Sequence, residues 1–177
     1  MSGISISLAA TLVTSAVGGF RTTAQAPPQQ PPPTVQAGRY AWPVRGPVIH
    51  AFEAPAGQYG PGHRGIDIAA PFGSPVVAAH NGVVAFSGWV AGSLFVSIDH
   101  PDGIRTTYSW LSDAIVRKGD YVKKGQTIAR TGSGHPGEAT PHLHFGARVG
   151  DLYIDPMLLL EQGSVAGLIH LAPLEAA

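Results

Sequence analysis

His63-Arg64-Gly65-Ile66-Asp67 and His142-Leu143-His144-Phe145-Gly146 are the two stretches around which this chain is organised, the second beginning 75 residues after Asp67. In an extended strand successive side chains alternate between faces, so His63 and Asp67, four apart, share a face, as do His142 and His144, two apart. Two such strands can bring imidazoles and a carboxylate to one point. Three nitrogen or oxygen donors with a fourth position left to water is the pattern of a catalytic zinc site, whereas structural zinc sites are closed by four ligands and usually contain cysteine. The chain has no cysteine. Either stretch alone is a weak signal, because a His-x-His pair on a strand is more often a surface pair or a satisfied core histidine than a ligand set.

Outward from these stretches the sequence alternates in short β-branched runs. Strands are predicted at Val48–Phe52, Ile66–Ala69, Val76–Ala79, Val83–Trp89, Leu94–Asp99, Arg105–Leu111 and His142–Arg148. Turn signals stand at Asn81-Gly82, Asp102-Gly103 and Gly150-Asp151, and Asp102-Gly103 between Ile98 and Ile104 is the clearest hairpin signal. With Gly 23, Pro 16 and no long 3.6-period segment, the pattern predicts an all-β sandwich or barrel. Met157–Glu161 reads as a short closing helical turn.

Taken together and in this order, the two stretches and the sequence between them resemble the lysostaphin-type (LytM-like) zinc metallopeptidases that cut peptide cross-bridges in bacterial cell walls. The resemblance runs from about Trp42 to Leu160. It includes Trp42-Pro43, the run from His63 to Pro71, Gly82-Val83-Val84, Ile98-Asp99-His100, Thr107-Tyr108, Val116 to Ile128, Pro141 to Gly146, and Asp155-Pro156. It implies an antiparallel β-sandwich of the barrel-sandwich hybrid type. It further implies Zn²⁺ held by His63, Asp67 and His144, with His142 as the catalytic base that takes a proton from a zinc-activated water and returns it to the leaving amine.

Two departures from the family pattern stand out. Gly146 replaces the glutamate that many relatives carry after His-Leu-His-Phe, and Trp110, in Tyr108-Ser109-Trp110-Leu111, replaces a second catalytic histidine. An indole N–H donates a hydrogen bond but cannot accept or exchange a proton. Loss of such a stabiliser typically costs ~10²–10³ in rate, so zinc binding is supported more strongly than fast hydrolysis. Tyr108 and Trp110 are the candidate substrate-contacting residues. The remaining histidines carry less weight: His100 matches a family position that is not a ligand, His80 precedes a turn, and His50 and His135 lie in rim loops as exposed polar residues.

The chain divides into a predicted export signal over residues 1–26, a Pro-rich linker over 27–38, the metallopeptidase domain over 39–160 and a C-terminal tail over 161–177. Ile4 to Phe20 is uncharged and largely apolar, and Ala24-Gln25-Ala26 has the small-x-small form of a signal-peptidase site, although no Lys or Arg precedes the apolar run. Pro27 to Pro33 can build neither a helix nor a ladder and is read as a stiff spacer. Eleven basic and 11 acidic residues balance to no net charge, which argues against a nucleic-acid partner.

The expected function is therefore an exported or wall-associated zinc metalloendopeptidase acting on peptidoglycan peptides, slowed by Trp110. A rival expectation is a non-catalytic zinc-binding relative that binds wall or activates another murein hydrolase. The run from Val116 to Ile128 also resembles the hammerhead turn of biotinyl and lipoyl carrier domains, but Lys123 and Lys124 fall inside the turn instead of at an exposed hairpin tip.

Overall fold

The computed structural model describes residues 38–57 and 60–161; the predicted export signal, nearly all of the predicted Pro-rich linker and residues 162–177 lie outside the described residues. Among the described residues ten strands follow one another: β1 (Val48–His50), β2 (Gly65–Ala69), β3 (Pro75–Val77), β4 (Gly82–Val90), β5 (Ser93–Asp99), β6 (Ile104–Ala114), β7 (Tyr121–Val122), β8 (Thr127–Thr131), β9 (His142–Val149) and β10 (Leu152–Ile154). All seven predicted strands are present with small changes at their ends. A 3-10 turn at Pro156–Leu158 falls in the predicted closing segment, its backbone started by Asp155, whose side chain accepts from the Met157 N–H.

Every strand pair is antiparallel, and the main path runs β1-β2-β9-β6-β5-β4-β7. This is the predicted all-β class. The Asp102-Gly103 hairpin joins β5 to β6, with Gly103 at φ +82 and its N–H donating to the His100 carbonyl. A positive φ there is what glycine permits at no steric cost.

The sheet branches at β6. Its first half pairs with β9 as far as Ser109 opposite His144, and its second half pairs with β8 from Leu111 opposite Thr131. Trp110 stands at the change of partner, with φ +63. A bulky residue in the left-handed region is an outlier that surrounding structure must hold. The Trp110 carbonyl accepts the Gly132 N–H at 2.8 Å, which fixes the branch.

Period-2 alternation then separates core from site. Ile66 and Ile68 of β2, Tyr108 of β6 and Leu143 and Phe145 of β9 are fully buried in the core, with the Tyr108 and Phe145 rings 5.3 Å apart. Gly65, Asp67, His142 and His144 occupy the intervening positions on the opposite face. At the domain's base Tyr40 pairs with Leu160, the Trp42 Nε1–H donates to the Glu161 carbonyl at 2.9 Å, and Lys124 donates to the Arg39 carbonyl at 2.7 Å and pairs with the Glu161 carboxylate. Lys124 is thus a clasp between chain segments and not a free lysine.

Candidate metal centre

The β2–β9 register sets Asp67 opposite His144 and Ala69 opposite His142. His63 joins from just before β2, where its backbone forms a bridge with Glu53. The His63 Nδ1–H donates to the Ala51 carbonyl at 2.7 Å, so the tautomer is fixed and the Nε2 lone pair faces inward. His63 Nε2 lies 3.0 Å from His144 Nδ1 and 3.2 Å from Asp67 Oδ1, and His144 Nδ1 lies 2.8 Å from the same oxygen. The three residues that the resemblance implies as ligands are brought together at hydrogen-bond distances.

Gly65 makes this closeness possible. A Cβ there would meet the Phe145 carbonyl oxygen at 2.4 Å and His144 Nε2 at 2.8 Å. The imidazole of His144 rests on bare backbone.

Asp67 is wholly buried, and its Oδ2 has no hydrogen-bond partner. Burial pushes its carboxyl up, but the hydrogen bond from His144 and the facing imidazoles of His144, His63 and His135 outweigh this and bring it down to about 2. The carboxylate stays ionised at any ordinary pH.

His142 is also fully buried. Its Nδ1–H donates to the Thr140 carbonyl at 2.8 Å, and its Nε2 accepts the backbone N–H of His135 at 3.1 Å while lying 4.0 Å from Asp67 Oδ2. It faces the cluster without joining it.

Two histidines given little functional weight from sequence lie beside the cluster: His50, exposed as expected, and His135, which is only partly exposed, so that its reading as an exposed rim residue is corrected. His50 pairs in register with Asp67, stacks on His63 with centroids 4.1 Å apart, and holds Nδ1 3.5 Å from Asp67 Oδ2. His135 turns Nε2 to within 3.5 Å of Asp67 Oδ1, and that nitrogen is buried with no hydrogen-bond partner. Burial lowers the pKa of its imidazole, against the pull of Asp67, so it is held neutral. His50 was findable, being on a predicted strand at a register position facing Asp67. His135 was not, since a Gly-rich loop has no period from which to read direction.

Tyr108 also needs correcting. It was expected to contact substrate, yet it is fully buried and its hydroxyl accepts the Ala79 N–H at 2.8 Å inside the core. Trp110 is half-buried and departs from the alternation because of its positive φ; its ring lies 4.8 Å from that of His135 and 6.4 Å from that of Phe95. His100 is buried away from the cluster, bonded to Asn81 and Thr106, as its low functional weight anticipated.

The sequence pattern of peptidase family M23 matches residues 61–156. An uncharacterised protein of Mycobacterium tuberculosis is 42% identical over 130 residues, covering 70% of this chain and 52% of the relative. The murein hydrolase activator NlpD of Escherichia coli is 34% identical over 126 residues, covering 70% of this chain and 31% of the relative. Among solved structures, the catalytic domain of the antimicrobial peptidase lysostaphin from Staphylococcus simulans superposes with a TM-score of 0.53 at 34% identity, covering 62% of this chain and 86% of that one. The chain spans about half the length of the curated M. tuberculosis relative and less of NlpD.

Proposed function

The chain belongs to peptidase family M23, and from that premise we propose that it is a zinc metalloendopeptidase that hydrolyses peptide bonds of bacterial peptidoglycan outside the cytoplasm. The observation that carries this reading is the convergence of His63 Nε2, Asp67 Oδ1 and His144 Nδ1 within 2.8 to 3.2 Å of one another. Bonds of 2.0–2.1 Å to a tetrahedral ion place ligands about 3.3–3.4 Å apart, so the donor set suits zinc in size as well as chemistry. A buried carboxylate with an unpartnered oxygen, ringed by imidazoles, is an environment that a cation relieves.

His63, Asp67 and His144 would hold the ion. When bound there, zinc supplies Lewis acidity for attack of water on a peptide carbonyl. The chain's own residues do the rest. His63, fixed by Ala51, keeps its lone pair inward, Asp67 supplies the negative charge, and His142 accepts a proton at Nε2 and returns it to the departing amine once the His135 backbone N–H has left that nitrogen. Trp110 occupies the family's second-histidine position and contributes an aromatic surface beside the site.

That same replacement supports a second reading, in which the domain binds wall peptides and activates a separate murein hydrolase. Similarity to a protein named as such an activator favours it. Export is supported by the apolar run and the Ala24-Gln25-Ala26 signal, with the 1–26, 27–38, 39–160 and 161–177 division as part of the proposal.

The deciding experiment pairs metal analysis with muropeptide cleavage. The wild type is expected to hold about one zinc per chain, His144→Ala to lose most of it, and Asp67→Ala to abolish cleavage. His142→Ala is expected to keep zinc and lose cleavage. Equal zinc in wild type and His144→Ala would refute the ligand set, and zinc without cleavage in the wild type would select the activator reading.

A further inference from the structure

His135 is on the loop between β8 and β9, a segment that none of the ligand spacing in the sequence points to. Its imidazole, on a loop with Gly134 and Gly137 at positive φ (+87 and +88), is shelved between the Trp110 and His142 rings, 4.8 and 5.2 Å away. Nothing satisfies its Nε2, although that atom is buried. The donor atoms of His63, Asp67, His135 and His144 all lie within 4.8 Å of one another, and the 3.5 Å from His135 Nε2 to Asp67 Oδ1 is close to the edge of about 3.3–3.4 Å set by a tetrahedral zinc with 2.0–2.1 Å bonds.

We propose that His135 is a fourth metal donor, so that in the folded resting state this site is closed by His63, Asp67, His144 and His135, and the β8–β9 loop is a latch. The inference rests on the zinc reading above. A second contact of the same loop supports it: the His135 backbone N–H donates to His142 Nε2 at 3.1 Å, occupying the lone pair that a base would need. One residue thereby fills the open metal position through its side chain and caps the base through its backbone. Gly134 lets the loop come this close, since a Cβ there would lie 2.2 to 2.7 Å from the His142 ring atoms. Trp110 has a positive role in this arrangement, as the wall against which the imidazole rests. Access for a peptide carbonyl requires the loop to lift, which frees the fourth position and His142 together.

The test uses cobalt(II) as a visible substitute for zinc in the full chain, with chelator competition to measure zinc affinity. Four protein donors leave no position for an added anion. Azide is therefore expected to leave the visible spectrum of the cobalt-loaded wild type unchanged and to shift that of His135→Ala and of His135→Gln, whose zinc affinity falls at least ~10-fold, the lower end for disturbing a metal site. Equal affinity and an equal azide response in the wild type and both variants, beside a His144→Ala that has lost metal, would overturn the fourth donor alone. A wild type that takes up no cobalt would overturn the zinc reading and the latch with it.

Discussion

Trp110 concentrates the residue-scale question. Its φ of +63 is of the kind that costs roughly 1–2 kcal/mol in a non-glycine residue, and histidine is several-fold more tolerant of that region than a bulky aromatic. Trp110→His is therefore expected to fold, to keep its zinc, and to raise kcat by up to ~10²-fold if a single stabilising donor is what limits cleavage. Unchanged cleavage together with weaker retention on peptidoglycan would instead identify the indole as a wall-binding surface. The convergence of His63, Asp67, His142 and His144 was legible in the sequence because strand alternation is rigid enough to say which way they point, while the choice of three of them as ligands came from the family resemblance. Tyr108 was misread because its neighbour's break in alternation, at the branch of the sheet, leaves no trace in the residue pattern. His135 stands in a loop where direction depends on two glycine dihedrals, and spacing cannot encode those.

Among elements, the β2–β9 pair does the positioning and the β8–β9 loop controls access. Gly134→Ala puts a methyl group against the His142 ring, and the strain of a side chain at φ +87 adds to the clash, so the loop is expected to be held off the site. On the latch proposal this variant gains azide access to cobalt while retaining His63, Asp67 and His144, and hydrogen exchange at the His135 amide quickens as its bond to His142 is lost. An amide as protected as in the wild type would show that the loop absorbs the methyl group in place. The long strands were read from sequence nearly residue for residue because each carries several alternations of a half-buried face. The strands missed are β7, β8 and β10, of two, five and three residues. β7 and β10 are too short for a period. β8 lies in a Gly-bounded run whose turn motif masks it.

For the molecule as a whole, alkaline pH is the informative stress. Burial raises the Tyr108 hydroxyl to about 12, against the lowering effect of its bonds to Thr106 and Ala79. A group raised in the folded state contributes its full stability below its unfolded value near 10 and loses it as pH rises through about 12, up to ~2.7 kcal/mol for this difference. Tyr108→Phe removes that alkaline loss but strands the Ala79 N–H, which costs about 1–3 kcal/mol at neutral pH. Denaturant midpoints of both proteins between pH 8 and 12 are expected to converge, and parallel curves would show that Tyr108 does not ionise on unfolding. A different consequence follows from the pairing of Asp67 with His144 across 77 residues of chain. Closing a loop of that length costs about 4 kcal/mol of entropy beyond a constant, and no cation site exists until it is closed. On the zinc reading the ion is the last component to arrive, and it then clamps β2 to β9, adding about 4 kcal/mol at a thousandfold excess over Kd. On the same reading, copies lacking zinc are expected to open this pairing more often and to be cut first by an added protease, so the ion proposed to serve the chemistry would also select the molecules that survive to perform it.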